Sequence, residues 1–243
     1  MEMIDILAFG VHPDDVELGC SGTLLKHIAM GFKVGLVDLT RGELGTRGTA
    51  DIRTEEALNA MKKMGAQFRH NLDMADGFFQ DNKENQLKLI EVIRRFRPKI
   101  VLLNAVHDRH PDHGRAAKMV ADACFYSGLA KISTTFDAKE QLAWRPANVY
   151  HYIQDRNLKA DFVVDISDFM EEKLNLVKTF TSQFYLPASL EYKKEMETPI
   201  SGPDFLEFLT AKARSYGREA GFTFAEGFTC VRTPGIQNLF DLS

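Results

Sequence analysis

The feature that most constrains this chain is a regular alternation, through its first half, of short β-branched runs with longer amphipathic stretches. Ile4–Phe9, Lys33–Leu39, Phe68–Leu72 and Ile100–Asn104 are predicted strands. Between them, Gly22–Met30, Arg53–Gly65 and Lys83–Phe96 are predicted helices, the last carrying Leu87, Ile90, Ile93 and Phe96 at three- and four-residue spacing. Gly31 and Gly65 stand where glycines end helices, and Pro98 follows the third helix. Asp112–Tyr126 reads as a fourth helix, with Pro111 near its first turn, where a missing N–H costs least. Alternation of this kind builds a parallel sheet with helices on both faces, so the expected class is α/β, doubly wound and mostly parallel.

The second half is less regular. Val149–Ile153 and Phe162–Ile166 are predicted strands, and Ser167 or Asp168 is placed to cap a helix through Glu171, Leu174, Val177 and Phe180. Pro187, Pro199 and Pro203 bound an irregular segment, Phe184–Gly202, expected to be a long surface loop. Phe205–Arg218 is a last helix, ended by Gly221, before a final strand at Gly227–Arg232. No repeat, low-complexity tract or linker divides the 243 residues, so residues 1–243 are expected to form a single domain. A formal charge of −4 gives no reason to expect nucleic acid or an anionic membrane as partner. Met1–Gly10 lacks the basic flank and long apolar segment of a signal peptide. Cys20, Cys124 and Cys230 are widely spaced, which fits a reducing cytoplasm rather than a disulfide framework, and Cys20 reads as a small buried thiol.

Chemistry concentrates in two loops. His12-Pro13-Asp14-Asp15 directly follows the first apolar run, and His110-Pro111-Asp112-His113 follows the fourth by a few residues. One such loop alone reads equally well as a turn or a helix cap. The pair is what a metal hydrolase needs: imidazole and carboxylate suit Zn²⁺, and three protein ligands leave a position for water. If the first four strands take the order 3-2-1-4, strands one and four are neighbours. Their connections then leave toward opposite faces and open a crevice where both loops arrive. Of the adjacent pair Asp14 and Asp15, one can ligate while the other faces the bound water as general base. Of His110 and His113, one can ligate while the other serves the oxyanion or the leaving nitrogen, with Asp112 placed to orient a histidine. Spacing alone leaves open which takes which role.

His12 to Gly19 (HPDDVELG), the His110–His113 element and Thr40 to Gly48 (TRGELGTRG) resemble the LmbE/PIG-L zinc N-deacetylases, which remove acetyl from N-acetylglucosamine units. The similarity extends to Ala213-Arg214, Gly217 and Ala225-Glu226-Gly227-Phe228, nearly the whole chain. The resemblance implies a Rossmann-type LmbE-like fold, one zinc per chain (Fe²⁺ suits the same ligands) held by His12, Asp15 and His113, and Asp14 as general base. It implies that His110 stabilises the tetrahedral intermediate or acts as acid, and that the chain forms a homo-oligomer. Glu17 stands where relatives often carry an acid one place earlier, and is expected to be structural.

Within the family the chain looks similar to the deacetylases of bacillithiol biosynthesis, which implies N-acetylglucosaminyl-malate as substrate. Arg47, Arg53 and Arg109 lie near the expected crevice, and guanidinium forks suit carboxylates; Arg53 and Arg109 are the stronger candidates for substrate binding. Alternatives within the same chemistry are free N-acetylglucosamine, chitooligosaccharides and thiol conjugates; a two-metal phosphoesterase is a more distant one. His27, His70 and His151 are expected outside the site, with His107 closer to it. Gly42, Gly45 and Gly48 lack a phosphate-loop fingerprint and read as a flexible substrate loop. Phe184, Tyr185 and Leu186 are expected to form an apolar lid or a subunit contact.

Overall fold

The computed structural model describes residues 3–184 and 196–241. Its first half runs β1 (Ile6–Gly10), α1 (Asp15–Ala29), β2 (Val34–Thr40), α2 (Ala50–Met64), β3 (Phe68–Met74), α3 (Lys83–Phe96), β4 (Ile100–Leu103) and α4 (Pro111–Tyr126). The second half adds a two-strand hairpin, β5 (Thr135–Phe136) and β6 (Lys139–Glu140), then β7 (Asn148–Tyr152) and β8 (Phe162–Asp165). α5 (Met170–Val177), α6 (Phe205–Ala220) and β9 (Ala225–Cys230) follow. The seven-stranded sheet has the order β3-β2-β1-β4-β7-β9-β8. The first five of these pair in parallel, and β9 lies antiparallel between β7 and β8. The expected 3-2-1-4 order and the mostly parallel, doubly wound sheet are therefore both present.

Alternation along the strands decides which helix covers which face. Leu7 and Phe9 of β1 point into a core with Ile90 and Ile93 of α3 and Met119 and Val120 of α4. Ile6 and Ala8 point the other way, against Val16, Cys20 and Leu24 of α1. So α1 and α4, which follow the neighbouring strands β1 and β4, lie on opposite faces. That divergence opens the crevice at the carboxyl end of the sheet.

The largest departure from expectation is α1, which starts at Asp15 rather than Gly22. Gly19 and Gly22 look like breakers, but each is demanded by packing. A Cβ at Gly19 would stand 2.2 Å from the Tyr152 ring, and one at Gly22 would stand 2.8 Å from Ile166. The helix kinks at Cys20 (φ −146°, ψ 15°), which takes local amides out of the regular ladder. The Glu226 carboxylate accepts from Gly22 N at 3.0 Å and Thr23 N at 2.7 Å, capping the second half of the helix. Lys173 pairs with Glu226 and donates to Leu18 O at 2.7 Å. The resemblance at Ala225–Phe228 thus includes a helix cap.

Smaller corrections have local causes. Neither Ser167 nor Asp168 caps α5; a 3₁₀ turn at Ser167–Phe169 precedes it, and Asp165 Oδ1 accepts from Ser167 N at 3.0 Å. α5 ends at Val177, leaving buried Phe180 in the next turn. The hairpin β5–β6 carries no turn signal in the sequence, because Asp137 and Ala138 take positive φ (50° and 59°) without a turn glycine. Phe184 is 1% exposed and stacks on Phe205 at 5.6 Å, so it is core rather than lid; Tyr185 and Leu186 lie outside the described residues. Cys20 is a buried free thiol, as expected. No helix among the described residues is long and apolar enough to cross a membrane.

Beneath the crevice sits a buried ionic triad. Arg69 on β3 donates from Nε to Asp38 of β2 and from Nη1 to Glu17 of α1, both at 2.6 Å. All three side chains are 3% exposed or less. Glu17 is thus a strut joining α1 to the sheet. Arg69→Met should destabilise the protein by about 3–5 kcal/mol, because it strands two buried carboxylates. Urea denaturation of parent and variant measures this, and a loss below about 1 kcal/mol, the value of a surface pair, would contradict it.

Candidate active site

Both loops leave the carboxyl ends of adjacent strands and face each other across the crevice. Asp15 opens α1, and Oδ2 of its carboxylate accepts from Val11 N (2.9 Å), His12 N (3.0 Å) and Asn104 Nδ2 (3.0 Å). Oδ1 accepts from Gln154 Nε2 at 2.8 Å and lies 3.2 Å from His113 Nε2. Loop, strand end and the segment after β7 therefore fix one carboxylate from several sides.

The ring orientations follow from outer partners. His113 Nδ1 is 2.7 Å from Asp108 Oδ2, which leaves Nε2 facing Asp15. His12 Nε2 is 3.0 Å from Asp76 Oδ1, which leaves Nδ1 on the Asp15 side, 3.7 Å from Oδ2. Asp112 Oδ2 lies 3.8 Å from His12 Nε2 and accepts from Gly77 N at 3.0 Å, so it does stand behind a histidine. Carboxylates backing imidazoles this way set tautomer and ring angle in metal sites. His110 is the N-cap of α4: its Nδ1 accepts from Asp112 N at 3.3 Å, and its ring stands 4.7 Å from His12 and 5.3 Å from His113.

Asp14 adopts φ 134°, ψ −21°, a conformation costing about 1–3 kcal/mol in a non-glycine residue. The cost accompanies a changed direction: its carboxylate makes no cap bond to α1 and lines the crevice instead. Arg53 Nη2 holds Asp14 Oδ2 at 3.0 Å and Pro13 O at 2.9 Å, while Nη1 reaches Gly42 O at 3.3 Å. Arg53, expected to face a substrate carboxylate, lines the crevice but is 5% exposed, with Nη2 on the adjacent acid. Arg47 is likewise buried, donating to Ser182 O at 3.0 Å. Arg109 remains at the crevice, paired through Nε with Asp155 at 2.7 Å.

The electrostatics match this crowding of acids. Burial opposes protonation of His12, but Asp112, Asp76 and Asp15 outweigh it and raise its pKa to about 9. Burial likewise opposes His113, which Asp15 and Asp108 lift to about 10. His110 moves down instead, through burial and the charges of His12 and His113. Burial pushes Asp14 up to about 7, against the pull of Arg53. A field that drives buried imidazoles upward is one that favours a cation, and the donor set of imidazole nitrogen and carboxylate oxygen suits a divalent first-row metal. Donor nitrogens of His12, His110 and His113 lie within 4.8 Å of one another, with Asp15 touching His12 and His113. The residues present fit such an ion.

These groups line a cavity of about 300 Å³ together with Leu44, Gly45, Thr46, Ile200, Phe205 and Phe208. His107 is not among the lining residues; its Nε2 pairs with Arg156 at 2.8 Å. His27 bonds Thr23 O and His151 bonds Asn104 O, and neither is among the cavity's lining residues. Residue-level reasoning missed Asp76, Asp108 and Gln154. A signal did exist, because each is a polar residue just beyond the carboxyl end of a parallel strand, where ligands of open α/β sheets bind.

A family model described as "PIG-L: GlcNAc-PI de-N-acetylase" matches residues 7–124. The diacetylchitobiose deacetylase of Thermococcus kodakarensis is 31% identical, over 95% of this chain and 84% of its own length. A conserved protein from Thermus thermophilus superposes with TM-score 0.84 at 33% identity, covering 98% of this chain and 99% of that one. The N,N'-diacetylchitobiose deacetylase from Pyrococcus horikoshii gives 0.78 at 26% identity, covering 98% and 88%.

Proposed function

Because this chain belongs to the PIG-L (LmbE-like) deacetylase family, we propose that it removes the acetyl group from a small N,N'-diacetylchitobiose-type sugar. It is a metal-dependent N-deacetylase of N-acetylglucosamine-type substrates. The observation that carries the reading is the juxtaposition of the Arg53-held Asp14 carboxylate with the His12–Asp15–His113 cluster in one cavity.

His12 Nδ1, Asp15 and His113 Nε2 are the proposed metal-holding groups, and zinc the proposed metal. Asp15 is preferred to His110 as third ligand because it supplies negative charge and already contacts both imidazoles. A divalent cation bound there supplies Lewis-acid polarisation of the acetamide carbonyl and acidifies a water. Asp14 takes the proton from the attacking water and returns it to the departing amine nitrogen. Arg53 keeps that carboxylate aimed. The His110 Nδ1 is occupied as an acceptor, so the neutral ring carries its proton on Nε2. From there it donates to the developing oxyanion, a stabilising role rather than that of a cationic acid. Acetate and the free amine result.

The substrate end favours a neutral sugar. Arg47 is not among the cavity's lining residues, and Arg53, which is, turns its Nη atoms to internal partners, while Leu44, Ile200 and Phe208 line the cavity as apolar groups together with Thr46 and Thr198. A second reading, the malate conjugate N-acetylglucosaminyl-malate, rests on Arg109, whose side chain is 43% exposed at the cavity. Acetate release from N,N'-diacetylchitobiose, free N-acetylglucosamine and N-acetylglucosaminyl-malate decides between them. The disaccharide should give the highest kcat/KM. A higher value for the malate conjugate, abolished by Arg109→Ala, would establish the second reading instead.

A further inference from the structure

The segment after β7 is gripped from both sides in a way that no step of the reaction requires. Lys212, on α6, donates through Nζ to the carbonyl oxygens of Gln154, Asp155 (2.8 Å) and Arg156 (3.1 Å). The Gln154–Asp155 and Asp155–Arg156 peptide groups turn their N–H ends the other way, onto Asp108 Oδ1, at 3.2 Å and 2.8 Å. In a trans peptide the N–H and C=O point oppositely. The same peptide planes therefore lie between an ammonium and a carboxylate, their dipoles aligned with both charges. Hydrogen bonds chained in this way polarise and reinforce one another.

Both ends of the clamp lead to the proposed metal-holding groups. Asp108 Oδ2 meets His113 Nδ1 at 2.7 Å, and Gln154, whose carbonyl Lys212 holds, donates from its side chain to Asp15 Oδ1 at 2.8 Å. Lys212 is not a lining residue of the cavity lined by those groups. We infer that Lys212 is a positioning residue of the metal site, locking the Gln154–Arg156 segment so that Asp108 and Gln154 hold His113 and Asp15 in register. This rests on the proposed reading of the site.

The test uses the full chain and zinc alone, measured by competition with a chromogenic chelator. Lys212→Met, which keeps the length of the side chain and loses its charge, should weaken zinc binding about 10-fold, at the low end for outer partners of metal ligands. Lys212→Arg, which keeps donors and charge, should recover most of the loss. Adding Lys212→Met to Asp108→Asn should cost little more than Asp108→Asn alone, because the two act through one chain of bonds. The zinc-induced rise in Tm should also shrink in Lys212→Met.

A zinc affinity for Lys212→Met within about twofold of the parent, an effect far under one tenfold step, would overturn the inference. Equal lowering of Tm with and without zinc would do the same, since that is what a purely structural lysine gives. If Lys212→Met does not fold, Lys212→Gln is read by the same criteria. Loss of affinity in Asp108→Asn and His113→Ala but not in Lys212→Met defeats this inference alone. Parent affinity in all of them defeats the site reading as well.

Discussion

Asp14→Asn is expected to lower kcat by about 10²–10⁴-fold, the range a positioned general base supplies, with zinc affinity near that of the parent. The substitution is close to isosteric and keeps an oxygen for Arg53 Nη2, now 3.0 Å from Oδ2. What it removes is the capacity to take a proton from water and return it to the amine. The backbone argues in the same direction. A residue held at φ 134° without a side-chain capping bond turns its carboxylate to the cavity rather than to the helix start. Steady-state acetate release and metal content, measured on one preparation, are the readouts. A variant retaining most of its turnover would remove Asp14 from the mechanism; one that loses zinc would make it a ligand.

His113→Ala and His110→Ala are expected to separate metal binding from rate. His113 presents Nε2 to Asp15 and is braced through Nδ1 by Asp108, so its loss should weaken zinc by more than the 10–100-fold seen when only an outer partner is removed. His110 spends Nδ1 on the Asp112 amide and offers only Nε2–H, the form of a hydrogen-bond donor. Its removal should leave zinc affinity near parent and lower kcat by about 10²–10³-fold, the worth of an oxyanion donor. The comparison matters because the nitrogens of His12, His110 and His113 also lie within 4.8 Å of one another. If His110→Ala loses zinc while Asp15→Asn keeps it, the three-histidine set is the ligand set. Near-parent zinc in both histidine variants would undo the choice of ligands altogether.

Much of the site was legible because its chemistry is carried by short contiguous motifs on a repetitive scaffold. Helix α3 was readable to the residue, since its apolar stripe and flanking signals agree. Helix α1 was not: two glycines that look like breakers serve Tyr152 and Ile166, and the cap of its second half, Glu226, is some two hundred residues away. The arginines show the same limit at the site. Residue type pointed Arg53 and Arg109 at the crevice, which both line, but the fold adds what the sequence did not show, the pairing of Arg53 with Asp14 and of Arg109 with Asp155.

By itself the sequence determined the α/β class, the expected order of the first four strands and the His12–Asp15 and His110–His113 elements. Periodicity and motif are local properties, and local properties survive without coordinates. The tertiary structure alone decided how those elements are braced: Asp76 behind His12, Asp108 behind His113, Gln154 on Asp15 and Lys212 behind them. Asp76 with His12 and Gln154 with Asp15 join residues from separate strand ends, Asp108 and His113 both follow β4, and Lys212 comes from α6. Which strand ends meet, and which way a ring or fork turns there, is set by the packing of α1 and α4 on opposite faces of the sheet.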